Sequence, residues 1–129
     1  MIRGVIVGHG EFAQAMLSTA EQIAGKQELI EAISNNGLDC ELLDRKIKES
    51  IDCSKEYETI VFVDLPGGSC TISCLNLLKE NKNIKVICGI NLPMLLEFIM
   101  LREKYSADKL LAILIKKGQN NIFQLKGKP

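Results

Sequence analysis

Tyr57-Glu58-Thr59-Ile60-Val61-Phe62-Val63-Asp64-Leu65-Pro66-Gly67-Gly68-Ser69 decides the fold. The first half ends in Ile60-Val61-Phe62-Val63, which is continuous and apolar. A strand buried on both faces reads this way, and such strands belong to parallel sheets covered by helices. The second half turns polar and glycine-rich. From Cys70 to Glu80 the spacing becomes helical, with Ile72, Leu75 and Leu78 expected inward. The stretch therefore predicts a strand, a tight loop and a helix.

The same unit recurs on either side. Ile2 to Val7 is a short β-branched run, followed by Gly8-His9-Gly10 and a helical stretch from Glu11 to Ala24. There Phe12, Ala13, Met16, Leu17, Ala20 and Ile23 share the helical period, and Gly25 is the expected C-terminal cap. Leu29 to Ile33 is a weaker strand, and Asn35-Asn36-Gly37 a turn. Asp39 to Cys53 reads as an amphipathic helix with Leu42, Leu43, Ile47 and Ile51 on one face. Ile84 to Cys88 is a fourth strand, and Gly89-Ile90-Asn91-Leu92 a turn. Pro93 starts a helix over Met94 to Lys104. Ser106 caps another that runs to Lys117, before Gly118. The tail from Gln119 to Pro129 reads either as a last helical turn or as a short strand around Ile122 to Leu125.

Strands alternating with helices predict right-handed βαβ units. The expected fold is α/β: an open parallel four-stranded sheet in the order 2-1-3-4, with helices on both faces. The 129 residues, with no long linker or repeat, suit one domain spanning 1–129.

Composition narrows the function. Sixteen Lys+Arg balance sixteen Asp+Glu, for a formal net charge of +0. Nucleic-acid binding is not expected, because it needs a concentration of positive charge. The longest uninterrupted apolar run, Leu110 to Ile115, falls far short of the ~20 residues a bilayer requires. The N-terminal apolar run is too short for a signal peptide, so a cytoplasmic protein is expected. Five cysteines, none in Cys-x-x-Cys spacing, argue against a structural zinc site or a disulfide framework. Reduced thiols acting as small apolar residues are the expectation. His9 is the single histidine, which excludes multi-histidine metal sites; no metal and no cofactor are expected.

In open parallel sheets, ligands bind beyond the carboxyl ends of the strands, where the strand order reverses. Three segments fall on that rim: Gly8-His9-Gly10, Asp64 to Ser69, and Gly89 to Pro93. A histidine between two glycines has little steric cover. Asp64 stands where it can accept a hydrogen bond from one ring nitrogen, leaving the other as a free lone pair. Gly67, Gly68 and Ser69 offer backbone N–H groups, a hydroxyl and a helix N-terminus, which favour an anion such as phosphate. Taken singly, each element has an ordinary alternative: a solvated loop histidine, a turn-forming aspartate, a tight turn with an N-cap. Together they supply the nucleophile, orienting carboxylate and anion site that phosphoryl transfer through a phosphohistidine needs. Nucleotide binding is disfavoured. Position 13 is Ala where a G-x-G-x-x-G motif wants Gly, and no G-x-x-x-x-G-K-[ST] loop occurs.

At these residues the chain resembles the mannose-family enzyme IIA component of the bacterial phosphoenolpyruvate-dependent sugar phosphotransferase system. The resemblance is carried by Ile6-Val7-Gly8-His9-Gly10, by Phe62-Val63-Asp64 with Gly67-Gly68-Ser69, and by Gly89-Ile90-Asn91-Leu92-Pro93-Met94-Leu95 with Glu97. It implies that His9 is phosphorylated on Nε2, that Asp64 orients the ring through Nδ1, and that Gly10, Gly67, Gly68 and Ser69 line the phosphoryl pocket. The donor would be the carrier HPr and the acceptor a histidine of a IIB protein on a separate chain. The membrane would be reached only indirectly, through a IIC/IID pair that carries the sugar. A homodimer is implied too, with the segment around Ile122 to Leu125 exchanged between subunits. Phe12, Leu65, Pro66 and Leu92 are candidate apolar contacts for the two protein partners.

Two alternatives remain at this level: a phosphoryl donor for a dihydroxyacetone kinase, and a regulatory module that senses phosphorylation without sugar flux. A hydrolase is disfavoured, since no second base and no serine nucleophile elbow accompany His9. Many family members carry Pro where this chain has Cys70. A cysteine in the first turn of a helix is expected to have a lowered pKa, which would make Cys70 oxidation-sensitive and able to gate the site.

Overall fold

In chain order the elements are β1 (Arg3–Gly8), α1 (Phe12–Ala24), β2 (Ile30–Ser34), α2 (Cys40–Asp52), β3 (Thr59–Val63), α3 (Ser69–Glu80), β4 (Ile84–Cys88), α4 (Leu92–Leu101) and α5 (Ala107–Asn120). They come from a computed structural model, which describes residues 1–53, 56–80 and 83–127. The strands form one sheet in the order β2-β1-β3-β4, and every pairing is parallel. This is the predicted sheet and the predicted order.

Every residue of β1 and β3 is buried, as expected for central strands. Successive side chains point to opposite faces, so the two strands feed two cores. Ile6, Ile60 and Phe62 lie in one core with residues of α1, α4 and α5; Val5, Val7, Val61 and Val63 lie in the other with residues of α2 and α3. Phe62 and Phe98 meet edge to face at a centroid distance of 5.1 Å, which ties β3 to α4. The helix starts follow local chemistry. Asp39, Asn91 and Ser106 each accept a hydrogen bond from the backbone N–H three residues on, which closes the first turns of α2, α4 and α5.

Four readings of the sequence need correction, the first being α4, which runs Leu92–Leu101 where the sequence predicts a helix over Met94 to Lys104. Ile72, Leu75 and Leu78 point outward from α3, and the buried face is Cys70, Ser73, Cys74 and Leu77. The outward face is the more apolar one, and apart from Leu77 the residues packed on the sheet are small. Leu42 is exposed as well, whereas Leu43, Ile47 and Ile51 are buried. Lastly, α5 does not stop at Lys117. It passes through Gly118 to Asn120, because a backbone close to Asn91 and Met94 needs a residue without a side chain there. A Cβ on Gly118 would come 2.7 Å from Met94 Cε, and Asn91 Nδ2 donates to the Gly118 carbonyl at 2.9 Å.

Beyond Asn121 the described part of the tail forms neither a helical turn nor a strand, and Ile122, Phe123 and Leu125 are exposed. Its last two residues, 128–129, lie outside the described part. Among the described residues, no helix is long and apolar enough to cross a membrane.

Candidate functional site

The order of the sheet reverses between β1 and β3, and the carboxyl ends of these two strands carry His9 and Asp64. Backbone hydrogen bonds knit the rim together. Asp64 N–H donates to the Val7 carbonyl at 3.2 Å, Asn35 N–H to the Gly8 carbonyl at 3.2 Å, and Gly89 N–H to the Val63 carbonyl at 2.8 Å. The loops after all four strands are thereby held in register.

Asp64 Oδ2 accepts twice from His9: from the backbone N–H at 2.9 Å and, with the proton on Nδ1, from the ring at 2.8 Å. Two bonds from one residue to one oxygen fix both the loop and the plane of the ring. The other carboxylate oxygen, Oδ1, accepts from Leu65 N–H at 2.9 Å. Burial pushes the Asp64 carboxyl upward; the hydrogen bonds from His9, the charge of its ring and the Leu65 N–H outweigh that and hold it below its ordinary value. Asp64 is therefore an anion with its proton-accepting capacity directed at the ring. Its side chain is only 7% exposed, while that of His9 is 40% exposed. The carboxylate is tucked beneath and the imidazole is presented outward.

With Nδ1 donating to Asp64, Nε2 carries the lone pair. It faces Gly68. A Cβ built on that glycine would lie 3.7 Å from Nε2 and 3.6 Å from Cε1, so the missing side chain leaves room beside the nucleophilic nitrogen. Gly67 and Gly68 have φ of 77° and 84°, a left-handed pair that only glycine adopts cheaply. That conformation delivers the chain into α3, whose first residue is Ser69. The start of α3 directly follows Gly68, and the first N–H groups of a helix have no partner within it, which suits an incoming anion.

The structure brings His9, Gly10, Asp64, Gly67, Gly68 and Ser69 to one place. Phe12, Leu65 and Pro66 are exposed around it, but Leu92 is half-buried and packs on the core with α4. Two further residues escaped the sequence reading. Ser34 Oγ donates to the Gly10 carbonyl at 2.6 Å, and Asn35 Oδ1 accepts from Gly10 N–H at 3.2 Å. They hold the far side of the histidine loop. Their position just past β2 is the signal that could have found them.

The expectation for Cys70 is overturned. Its side chain is 0% exposed, and burial pushes the thiol up, with the Asp64 charge adding to that push; a hydrogen bond with Ser69 opposes both only in part. The anionic neighbour and the lack of water outweigh the helix N-terminus. Cys70 is not a primed thiolate. Its Sγ lies 3.9 Å from His9 Nδ1, so the thiol forms the floor of the site.

Comparison with known proteins shows the family of this chain. Residues 4–115 match the family EIIA-man, described as "PTS system fructose IIA component". The chain is 32% identical over 133 aligned residues to the PTS system mannose-specific EIIAB component of Escherichia coli (strain K12), covering 100% of this chain and 41% of that protein. It thus spans about two fifths of that relative's length. The PTS system fructose-specific EIIA component of Bacillus subtilis (strain 168) is 30% identical over 113 residues, covering 86% of this chain and 77% of that one. Among solved structures, the phosphotransferase system component EIIA from Streptococcus agalactiae superposes with a TM-score of 0.89 at 31% identity, covering 96% and 97% of the two chains. Fold and rim together define a phosphotransferase-system EIIA domain of the mannose/fructose/sorbose superfamily. The chain belongs to the EIIA-man family.

Proposed function

We propose that residues 1–129 act as one cytoplasmic EIIA domain that carries phosphate on His9. Phospho-HPr is the donor, and a histidine of a IIB domain is the acceptor. The observation that carries this reading is the 2.8 Å contact of His9 Nδ1 with Asp64 Oδ2, set opposite an Nε2 that faces the side-chain-free Gly68. The names of the relatives, mannose-, fructose- and sorbose-specific components of the phosphotransferase system, support a role in sugar uptake.

The chemistry follows from the contacts. The Nε2 lone pair attacks phosphorus, and the phosphorus–nitrogen bond to the donor histidine breaks as the new one forms. The electron pair of the broken bond stays with the donor imidazole. His9 keeps its Nδ1 proton and becomes a phosphorylated imidazolium, whose positive charge the Asp64 carboxylate balances. Backbone N–H groups of the Gly67–Ser69 turn offset the charge on the phosphoryl oxygens. The reverse attack, by a IIB histidine, discharges the carrier. Exposed Phe12, Leu65 and Pro66 around His9 offer a shallow apolar patch for both proteins in turn. The carrier works as a homodimer, with the apolar tail around Ile122 to Leu125 covered by the second copy.

Incubation with phosphoenolpyruvate, enzyme I and HPr tests the reading by mass spectrometry. The expected result is a gain of one acid-labile phosphate that the His9→Ala variant does not show. The same gain in His9→Ala would refute it.

A further inference from the structure

The floor of the rim sets the proposed phosphate-carrying pair, His9 and Asp64, beside a thiol that phosphoryl transfer does not use. Among the described residues, His9, Asp64 and Cys70 form a group of three ligand-type side chains whose donor atoms lie within 4.8 Å of one another. Nδ1 is 2.8 Å from Asp64 Oδ2 and 3.9 Å from Cys70 Sγ. Around tetrahedral zinc, with bonds of about 2.0 Å to nitrogen and oxygen and about 2.3 Å to sulfur, neighbouring donors stand roughly 3.3–3.8 Å apart. The two spacings from Nδ1 bracket that range and the third is within 4.8 Å, so shifts on the order of 1 Å would seat an ion. We propose that His9, Asp64 and Cys70 bind a thiophilic divalent cation, zinc foremost, and that the bound ion switches the histidine off.

Charge and donor type favour the assignment. A carboxylate and a thiolate supply two negative charges, which neutralise a dication in a site poor in water. Imidazole and thiolate are the donors that select zinc over magnesium or calcium. The ion enters past the His9 ring, the most exposed of the three groups. Cys70 releases its proton to solvent on binding, since a coordinating thiol is deprotonated outright. The fourth position is left to water or an anion.

The consequence for phosphoryl transfer rests on the carrier reading above. Coordination at Nδ1 takes the lone pair of that nitrogen, and the proton that Nδ1 held moves to Nε2. A neutral imidazole has one lone pair, so Nε2 then has none to offer phosphorus. The ion blocks the acceptor without covering it. Metal binding and phosphorylation become mutually exclusive states of one ring.

Cobalt(II), used alone as the probe, reports thiolate ligation directly. Titration of the full chain is expected to give one cobalt per chain and a thiolate-to-cobalt charge-transfer band. Cys70→Ser should lose the band and bind at least tenfold more weakly, whereas Cys88→Ser should keep both. A band that survives in Cys70→Ser, or no band in the unaltered chain, overturns the site. Should Cys70→Ser fail to fold, a chain whose other four cysteines are all alanine keeps Cys70 as its only thiol and must still show the band. A second arm uses purified phospho-HPr as donor, with chelator or with zinc. Zinc should slow phosphate acceptance at least tenfold in the unaltered chain and leave the rate of Cys70→Ser near its own chelator value. If the chelated chain accepts no phosphate, the carrier reading fails, while the cobalt band still decides the metal site.

Discussion

Asp64 concentrates four jobs in one side chain. It accepts the backbone N–H of His9 and meets the ring at Nδ1, and in the proposed carrier it also sets the tautomer and balances the ring's charge. Removing it in Asp64→Ala should therefore slow phosphate acceptance from phospho-HPr about 10–100-fold, the usual effect of losing a group that orients a reactive one. Folding should survive, because the change sits at a rim and not in either core. A rate within twofold of the parent would argue against the role. The same carboxyl links stability to pH. Its folded pKa lies below the ordinary 3.8, so the unfolded chain binds this proton more readily than the folded one. The stabilisation is complete above 3.8 and drains away as pH falls through the lower folded value. Urea midpoints of the unaltered chain and Asp64→Asn should differ by a constant amount near neutral pH and converge in acid. A gap that stays constant down to the acid limit would contradict the assignment. At this scale His9 and Asp64 were legible in the sequence, since both follow β-branched runs at strand ends. Cys70 was legible as a neighbour of the site, but its burial beneath the ring was not, because that depends on how the turn at Gly67–Gly68 seats the start of α3. A rule about helix starts pointed to a reactive thiolate there, and burial beside an anion decided otherwise.

Among the elements, α3 teaches most. Its outward Ile72, Leu75 and Leu78 are larger and more apolar than the inward Cys70, Ser73 and Cys74. Counting apolar residues thus chooses the wrong face. The face that packs is the one turned to the sheet, which the helical sequence alone does not reveal. Leu77→Ala, on the buried face, should cost about 2–4 kcal/mol, for lost burial plus an unfilled cavity. Ile72→Ala should stay within about 0.5 kcal/mol in the monomer. Chemical denaturation of both variants checks this, and equal losses would show that the two faces are not so different. In α5 the misread end has a similar cause. Glycine is a common stop signal, but Gly118 is there so that Asn91 and Met94 can approach the helix. The strands and their order were read correctly because buried parallel strands leave a signal in four or five residues. A helix face needs the identity of its neighbour.

The whole molecule is a sheet with two cores and one working rim. Its zero net charge leaves no broad field to hold a polyanion, which fits the proposed carrier, whose protein partners would each have to be released after transfer. Among the described residues, fourteen large apolar side chains are exposed, and Ile122, Phe123 and Leu125 in the tail are the most exposed of them. Under the homodimer reading, removal of residues 121–129 should shift sedimentation from dimer toward monomer while leaving the circular dichroism of the sheet and helices near that of the full chain. A full-length chain that sediments as a monomer at high micromolar concentration would refute the dimer. One question outranks the others: which nitrogen of which residue carries phosphate. Phosphorus-31 and nitrogen-15 NMR of the protein phosphorylated by phospho-HPr answers it. The account predicts a single phosphohistidine at His9 with phosphorus on Nε2 and the proton on Nδ1. A signal from Nδ1-phosphohistidine, or from any residue other than His9, would contradict it.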